Sequence, residues 1–243
     1  MIQIFPNLTE LNNFAAEKFI EIGNSAIKER NKFTVALAGG STPKSLYRLL
    51  TSSEYKNKIE WEKVFFFFGD ERNVSPENDE CNFKMANDNL LEPLRIDAKN
   101  IFRWQTELQD PEKIAGNYAQ TIKDFFNLNE NEFPRFDLIL LGMGDDGHTA
   151  SLFPLTEALK ETERIAVSNR VEKLDTTRLT FTFPTINNAA NIIFLVSGAA
   201  KAETLQKVLQ DEFQPEKFPS QAIQPKNGNL FWLIEESAAR FLK

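Results

Sequence analysis

His148 is the only histidine in the chain. It stands in Gly142-Met143-Gly144-Asp145-Asp146-Gly147-His148-Thr149, behind an apolar run that ends at Leu141. An unperturbed imidazole gains and loses a proton near neutral pH, which suits a general acid and base. Asp146, two residues earlier, is an acid that can fix the ring's tautomer and stabilise its protonated form. The residue types alone are equally compatible with a satisfied structural histidine. A sole histidine rules out multi-histidine metal sites. With no H-x-x-x-H motif and no cysteine pair, no metal is expected. No G-x-S-x-G elbow is present, and Cys81 has no histidine beside it, so neither a serine nor a thiol nucleophile is indicated.

Gly142, Gly144 and Gly147 also spell G-x-G-x-x-G after an apolar strand, the pattern of a dinucleotide-binding turn. The details oppose that reading. Asp145 and Asp146 occupy positions that a pyrophosphate would approach, and Pro154 leaves little room for a helix starting at Gly147.

Three other loops carry candidate chemistry. Gly39-Gly40-Ser41-Thr42-Pro43 follows the apolar run Phe33–Ala38. Two glycines permit close backbone approach, Thr42 can act as N-cap, and Pro43 suits a first helical turn. Free amides at the positive end of a helix dipole make an anion site, although a capped turn without ligand fits the same residues. Gly69-Asp70-Glu71-Arg72 follows Val64–Phe68. Arg72 offers a planar fork for phosphate or an oxyanion, and Asp70 can orient Arg72 or accept sugar hydroxyls; a solvated turn is the plainer alternative. Ser197-Gly198-Ala199-Ala200-Lys201 follows Asn191–Ser197. A lysine in the first turn of a helix opposes the dipole, so a phosphate partner explains Lys201 better than water does.

All four loops leave short apolar runs. Phe33–Ala38, Val64–Phe68, Phe136–Leu141 and Asn191–Ser197 read as strands buried on both faces. Further strands are expected at residues 2–5, 178–183 and 230–235. Helical patterns lie between them at residues 44–50, 81–91, 112–126 and 200–209. The stretch from Pro6 to Asn31 is amphipathic, with Leu8, Leu11, Ala15, Phe19 and Ile22 at helical spacing. Asn7 and Glu10 form a candidate capping box. The alternation predicts a single α/β domain over 1–243, a doubly wound, mostly parallel sheet with helices on both faces. Ligands in such folds bind outside the carboxyl ends of the strands, where these loops lie.

The 243 residues are 42% hydrophobic and 26% charged, enough to bury a sizeable core. A net charge of −7 disfavours nucleic acid and anionic membranes as partners but permits a small phosphorylated ligand where cations converge. A single cysteine fits a reducing compartment. With no basic-then-apolar leader and no run of about 20 apolar residues, a soluble cytoplasmic protein is the expectation.

Five segments together resemble one family, the 6-phosphogluconolactonases. They are "LAGGSTPKSLY" (37–47), "FFGDERNVSPENDECNF" (67–83), "LLGMGDDGHTASLFP" (140–154), "RLTFTFPTINNA" (178–189) and "FLVSGAAKAETL" (194–205). The resemblance implies a Rossmann-like fold shared with the glucosamine-6-phosphate deaminases, which also carry G-G-x-T-P, an Asp-Glu pair and D-G-H. Deaminases typically continue D-G-H-I-A-F-N-E-P with a catalytic glutamate. Phe153 occupies that place here, and Arg72 stands where deaminases tend to have an aromatic residue. Both differences favour the lactonase. Many lactonases carry an arginine after P-x-x-N-A; this chain has Ala190 at about that place, so its role would fall to Arg178 or Arg170 if it is supplied at all.

The resemblance implies hydrolysis of 6-phospho-D-glucono-1,5-lactone, the second step of the oxidative pentose phosphate pathway. It implies no metal or organic cofactor, and a monomer or weak homo-oligomer. In that setting His148, oriented by Asp146, activates water, and Arg72 or loop amides face the oxyanion. Amides of Gly40, Ser41 and Thr42 hold the phosphate with charge from Lys201 and Arg72, and Gly39, Asp70 and Arg178 are further substrate contacts.

Overall fold

A computed structural model describes residues 1–243. β1 (Ile2–Phe5) leads into α1 (Leu8–Arg30), whose N-cap Asn7 accepts the Glu10 N–H at 3.0 Å. The Glu10 carboxylate does not return the bond, so half of the expected capping box forms. Leu11, Ala15 and Phe19 are buried, while Leu8 stays exposed at the helix start. The chain then runs through β2 (Phe33–Leu37), α2 (Ser41–Leu50), β3 (Val64–Phe68), β4 (Asp70–Arg72) and α3 (Asn82–Ala86), followed by α4 (Pro111–Phe126) and β5 (Leu138–Leu141). β6 (Ala166–Val171), β7 (Thr176–Phe181), α5 (Phe183–Asn187), β8 (Asn191–Val196), α6 (Ala202–Gln210), β9 (Asn229–Glu235) and α7 (Glu236–Ala239) complete it.

Six strands form one parallel sheet in the order β1-β9-β8-β5-β2-β3. Every residue of β2 and β5 is buried, as an uninterrupted apolar run requires when both faces of a strand are covered. From β2 the chain moves outward to β3 and later returns to β5 on the other side of β2. β2 and β5 therefore flank the topological switch point, where the loops after two neighbouring strands diverge and leave a crevice.

β4, β7 and β6 form a separate three-stranded antiparallel sheet. This corrects two expectations. The strand read at 178–183 runs from 176 to 181 and lies outside the parallel sheet, and Asp70–Arg72 is a strand rather than a loop. Gly69 is the joint between sheets: its N–H donates to Leu37 O at 3.0 Å and its carbonyl accepts Phe181 N–H at 2.8 Å. Phenylalanines fill the space between the layers. Phe67 stacks on Phe102 with ring centroids 4.6 Å apart and meets Phe125 and Phe136 edge-on. Phe67 and Phe136, both fully buried, each contribute about 2 kcal/mol through area removed from water. A single cluster of 59 buried apolar residues spans both sheets, so the small sheet is held rigidly against the large one. No helix is long and apolar enough to cross a membrane.

Candidate active site

The loop after β2 is pinned by Tyr47, whose hydroxyl accepts the Ala38 N–H at 3.0 Å and donates to Ala38 O at 2.8 Å. Gly40 has φ +103°, which only glycine adopts without strain, and it is the N-cap of α2. Thr42 is therefore not the N-cap. Its hydroxyl instead shares a 2.7 Å hydrogen bond with Ser197 at the end of β8, which locks the first loop to the third. The N–H groups of Gly40, Ser41 and Thr42 donate to no protein acceptor, so the helix start is left open to an anion. Gly39 has a different reason to be glycine: a Cβ there would lie 1.9 Å from Asn82 Oδ1.

β4 places alternate side chains on opposite faces. Glu71 turns inward and is 1% exposed. Its carboxylate accepts N–H groups from Arg72, Asn82 and Phe83 at 2.7–2.8 Å, capping α3. Burial pushes its carboxyl up to about 7 against those hydrogen bonds. Asp70 turns the other way to the carboxyl edge of the sheet. Ser151 donates to its Oδ2 at 2.7 Å and the Asn82 amide to its Oδ1 at 3.3 Å. Arg72 donates to Glu80 O at 2.7 Å and is paired across the small sheet with Arg178. Burial, and then the charge of Arg72, lowers the Arg178 guanidinium pKa. Two cations in adjacent register form a positive edge beside the crevice.

His148 is braced by its own turn. Its Nδ1 lies 2.5 Å from Asp146 Oδ1, and its backbone N–H reaches the same oxygen at 3.2 Å. Burial opposes ionisation of Asp146. Even so, the hydrogen bonds and charge of His148, with Lys173 3.7 Å from the other oxygen, hold the carboxyl down at about 2. An ionised carboxylate only accepts, so Nδ1 carries a proton, and in the neutral imidazole Nε2 then presents a lone pair. Gly144 must lack a side chain, because a Cβ there would lie 2.1 Å from Nδ1. The Gly144 N–H donates to His148 O at 2.9 Å, and Gly147 turns at φ +83°. No helix follows Gly147, so a pyrophosphate-binding helix start is lacking.

Lys201 ends a 3₁₀ turn (Ala199–Lys201) that precedes α6. Burial lowers its pKa, and the charge of Asp145 is the only counterweight. A half-buried ammonium with no ion pair of its own is stabilised by an arriving anion.

These side chains meet in one cleft of about 230 Å³ at the switch point, lined among others by Gly40, Thr42, Asp70, Arg72, His148 and Lys201. Gly39 and Ser41 line it as well. Asp146 reaches it only through His148, and Arg178 stands beside Arg72 rather than in the wall. Arg170 faces a separate cavity, paired with Asp175. Ala190 precedes the first residue of β8, at the opposite end of a strand about 20 Å long. An arginine there would not line this cleft. Asn82, Ser151 and Ser197 lie in segments the sequence singles out but receive no role there, because they act only by crossing between loops. The sequence marks Phe153 as a difference from deaminases but not its position: the phenyl ring stacks on the imidazole, centroids 4.1 Å apart.

The model of a family described as glucosamine-6-phosphate isomerases/6-phosphogluconolactonase matches residues 6–232. A 6-phosphogluconolactonase from a Nostoc species is 41% identical over 98% of this chain and 96% of its own length. One from a Synechocystis species is 44% identical over 90% and 88%. The solved 6-phosphogluconolactonase from Trypanosoma brucei superposes with a TM-score of 0.90 at 28% identity, covering 100% of this chain and 98% of that one. The chain belongs to the glucosamine-6-phosphate isomerase/6-phosphogluconolactonase family.

Proposed function

We propose that the chain hydrolyses 6-phospho-D-glucono-1,5-lactone to 6-phospho-D-gluconate by acid–base catalysis at His148. The observation that carries this reading is the shared cleft: one imidazole with Nε2 unpartnered, the open amides of Gly40–Thr42, and the unpaired Lys201 ammonium. The names of the relatives at 41% and 44% identity point to the same substrate.

The amides and Lys201 hold the 6-phosphate, which fixes the lactone carbonyl near the imidazole. Water attacks C1 as Nε2 takes one of its protons, and the carbonyl π pair moves onto oxygen. Arg72 stabilises that oxyanion. Collapse of the tetrahedral intermediate reforms the C1 carbonyl and breaks the bond from C1 to the ring oxygen, which takes the proton back from the imidazolium. Asp146 holds the Nδ1–H tautomer throughout. Asp70, with two fixed donors behind it, accepts a hydrogen bond from a ring hydroxyl. Residues 1–243 act as one domain on a small sugar phosphate, as a monomer or weak homo-oligomer.

Deaminase chemistry fits the site less well. The position that would carry the glutamate holds Phe153, whose ring covers one face of His148. Acid release from freshly generated lactone, corrected for spontaneous opening, tests the proposal directly. Ammonia release from glucosamine 6-phosphate with no acceleration of lactone decay would overturn it.

A further inference from the structure

We propose that Phe153 is a positioning residue, which together with the bare backbone at Gly144 holds the His148 imidazole in one plane. This rests on the reading of His148 as the proton-transfer group. A single hydrogen bond at Nδ1 fixes one atom of the ring but leaves the imidazole free to rock about the Nδ1···Oδ1 axis. Two further contacts remove that freedom. The phenyl ring of Phe153 lies over the imidazole with centroids 4.1 Å apart and planes 26° apart. The Gly144 backbone is so near that an added Cβ would sit 2.1 Å from Nδ1 and 2.2 Å from Cε1. Clamped in this way, the ring keeps its Nε2 edge directed to the cleft.

Phe153 is also a partition. It is 8% exposed and lines a second cavity of about 880 Å³, together with Asp146, Lys173 and Lys217. His148 lines the 230 Å³ cleft and not this cavity. The phenyl ring therefore separates the imidazole from a larger space that admits water. A residue of similar volume without a flat face would fill the gap but leave the ring free to rock.

The test compares Phe153→Leu and Phe153→Tyr in the full chain. Because His148 is the only histidine, its two ring nitrogens give one unambiguous set of long-range ¹H–¹⁵N correlations. For Phe153→Leu we expect turnover to fall by about 10- to 100-fold with the Michaelis constant within about threefold. Its imidazole should keep the Nδ1–H tautomer that Asp146 fixes, but its ring signals should broaden as the plane begins to rock. Phe153→Tyr should restore turnover and spectrum together. Parental turnover in Phe153→Leu, or lost turnover with a parental imidazole spectrum, overturns the assignment. His148→Asn run alongside separates the two possible failures. Parental turnover there refutes the acid–base reading, whereas lost turnover there beside an active Phe153→Leu refutes the role of Phe153 alone.

Discussion

Ser151 donates its hydroxyl hydrogen to Asp70 Oδ2 at 2.7 Å, joining the histidine loop to β4 across 81 residues of chain. Ser151 is 2% exposed and Asp70 8%, so little water reaches the bond from the Ser151 side. Asn82 makes the second contact and packs against Gly39, so Asp70 couples the histidine loop to the loop that begins α2.

Ser151→Ala should leave a buried carboxylate one donor short. The expected cost is about 1–3 kcal/mol in urea unfolding, with a lower kcat/KM for the lactone because Asp70 loses its fixed orientation. A variant with unchanged stability and kinetics would show that Asp70 needs no such brace.

Asp146→Asn replaces an acceptor by a group that can also donate, so the imidazole no longer keeps Nδ1–H. Turnover is expected to fall by about 10²–10⁴-fold, as for loss of one acid–base group, with the Michaelis constant little changed. Steady-state kinetics on fresh lactone checks this. A fall in affinity instead of turnover would place Asp146 in binding.

Lys201→Ala removes the one ammonium that the cleft leaves unpaired. The Michaelis constant should rise at least about tenfold with turnover near parental, and inhibition by inorganic phosphate should weaken in parallel, since a charged hydrogen bond contributes about 1.5–3 kcal/mol. Equal phosphate inhibition in parent and variant would move the anion elsewhere in the cleft.

The Asp146 carboxyl also sets a pH dependence. Its folded pKa of about 2 lies below the ordinary 3.8, so the folded chain binds that proton more weakly than the unfolded chain. The resulting stabilisation is complete above pH 3.8 and is lost as pH falls through about 2. It amounts to about 2 kcal/mol, which Asp146→Asn should lack. Urea titrations of both proteins between pH 2 and 5 should converge towards the acid end; a constant gap would show that the carboxyl is not held down.

The sequence by itself determined the parallel strands, because a run such as Phe33–Ala38 can be satisfied only with both faces covered. It also placed the candidate loops, since glycines and charges directly after such strands must lie at the sheet's carboxyl edge. His148 with Asp146 was legible for the same reason, as two residues of one turn whose contact is local. Only the tertiary structure decided the contacts between turns. Nothing in residues 176–181 signals an antiparallel sheet of its own, which brings Arg178 beside Arg72. Thr42 reads as an N-cap until Ser197 arrives from β8, and Gly39 reads as a ligand-facing glycine until Asn82 fills the space. Phe153 reads only as the absence of a deaminase glutamate until its ring is seen on the imidazole. Local propensity and spacing act within a turn or a strand, whereas these pairings depend on which elements the packed sheet sets side by side.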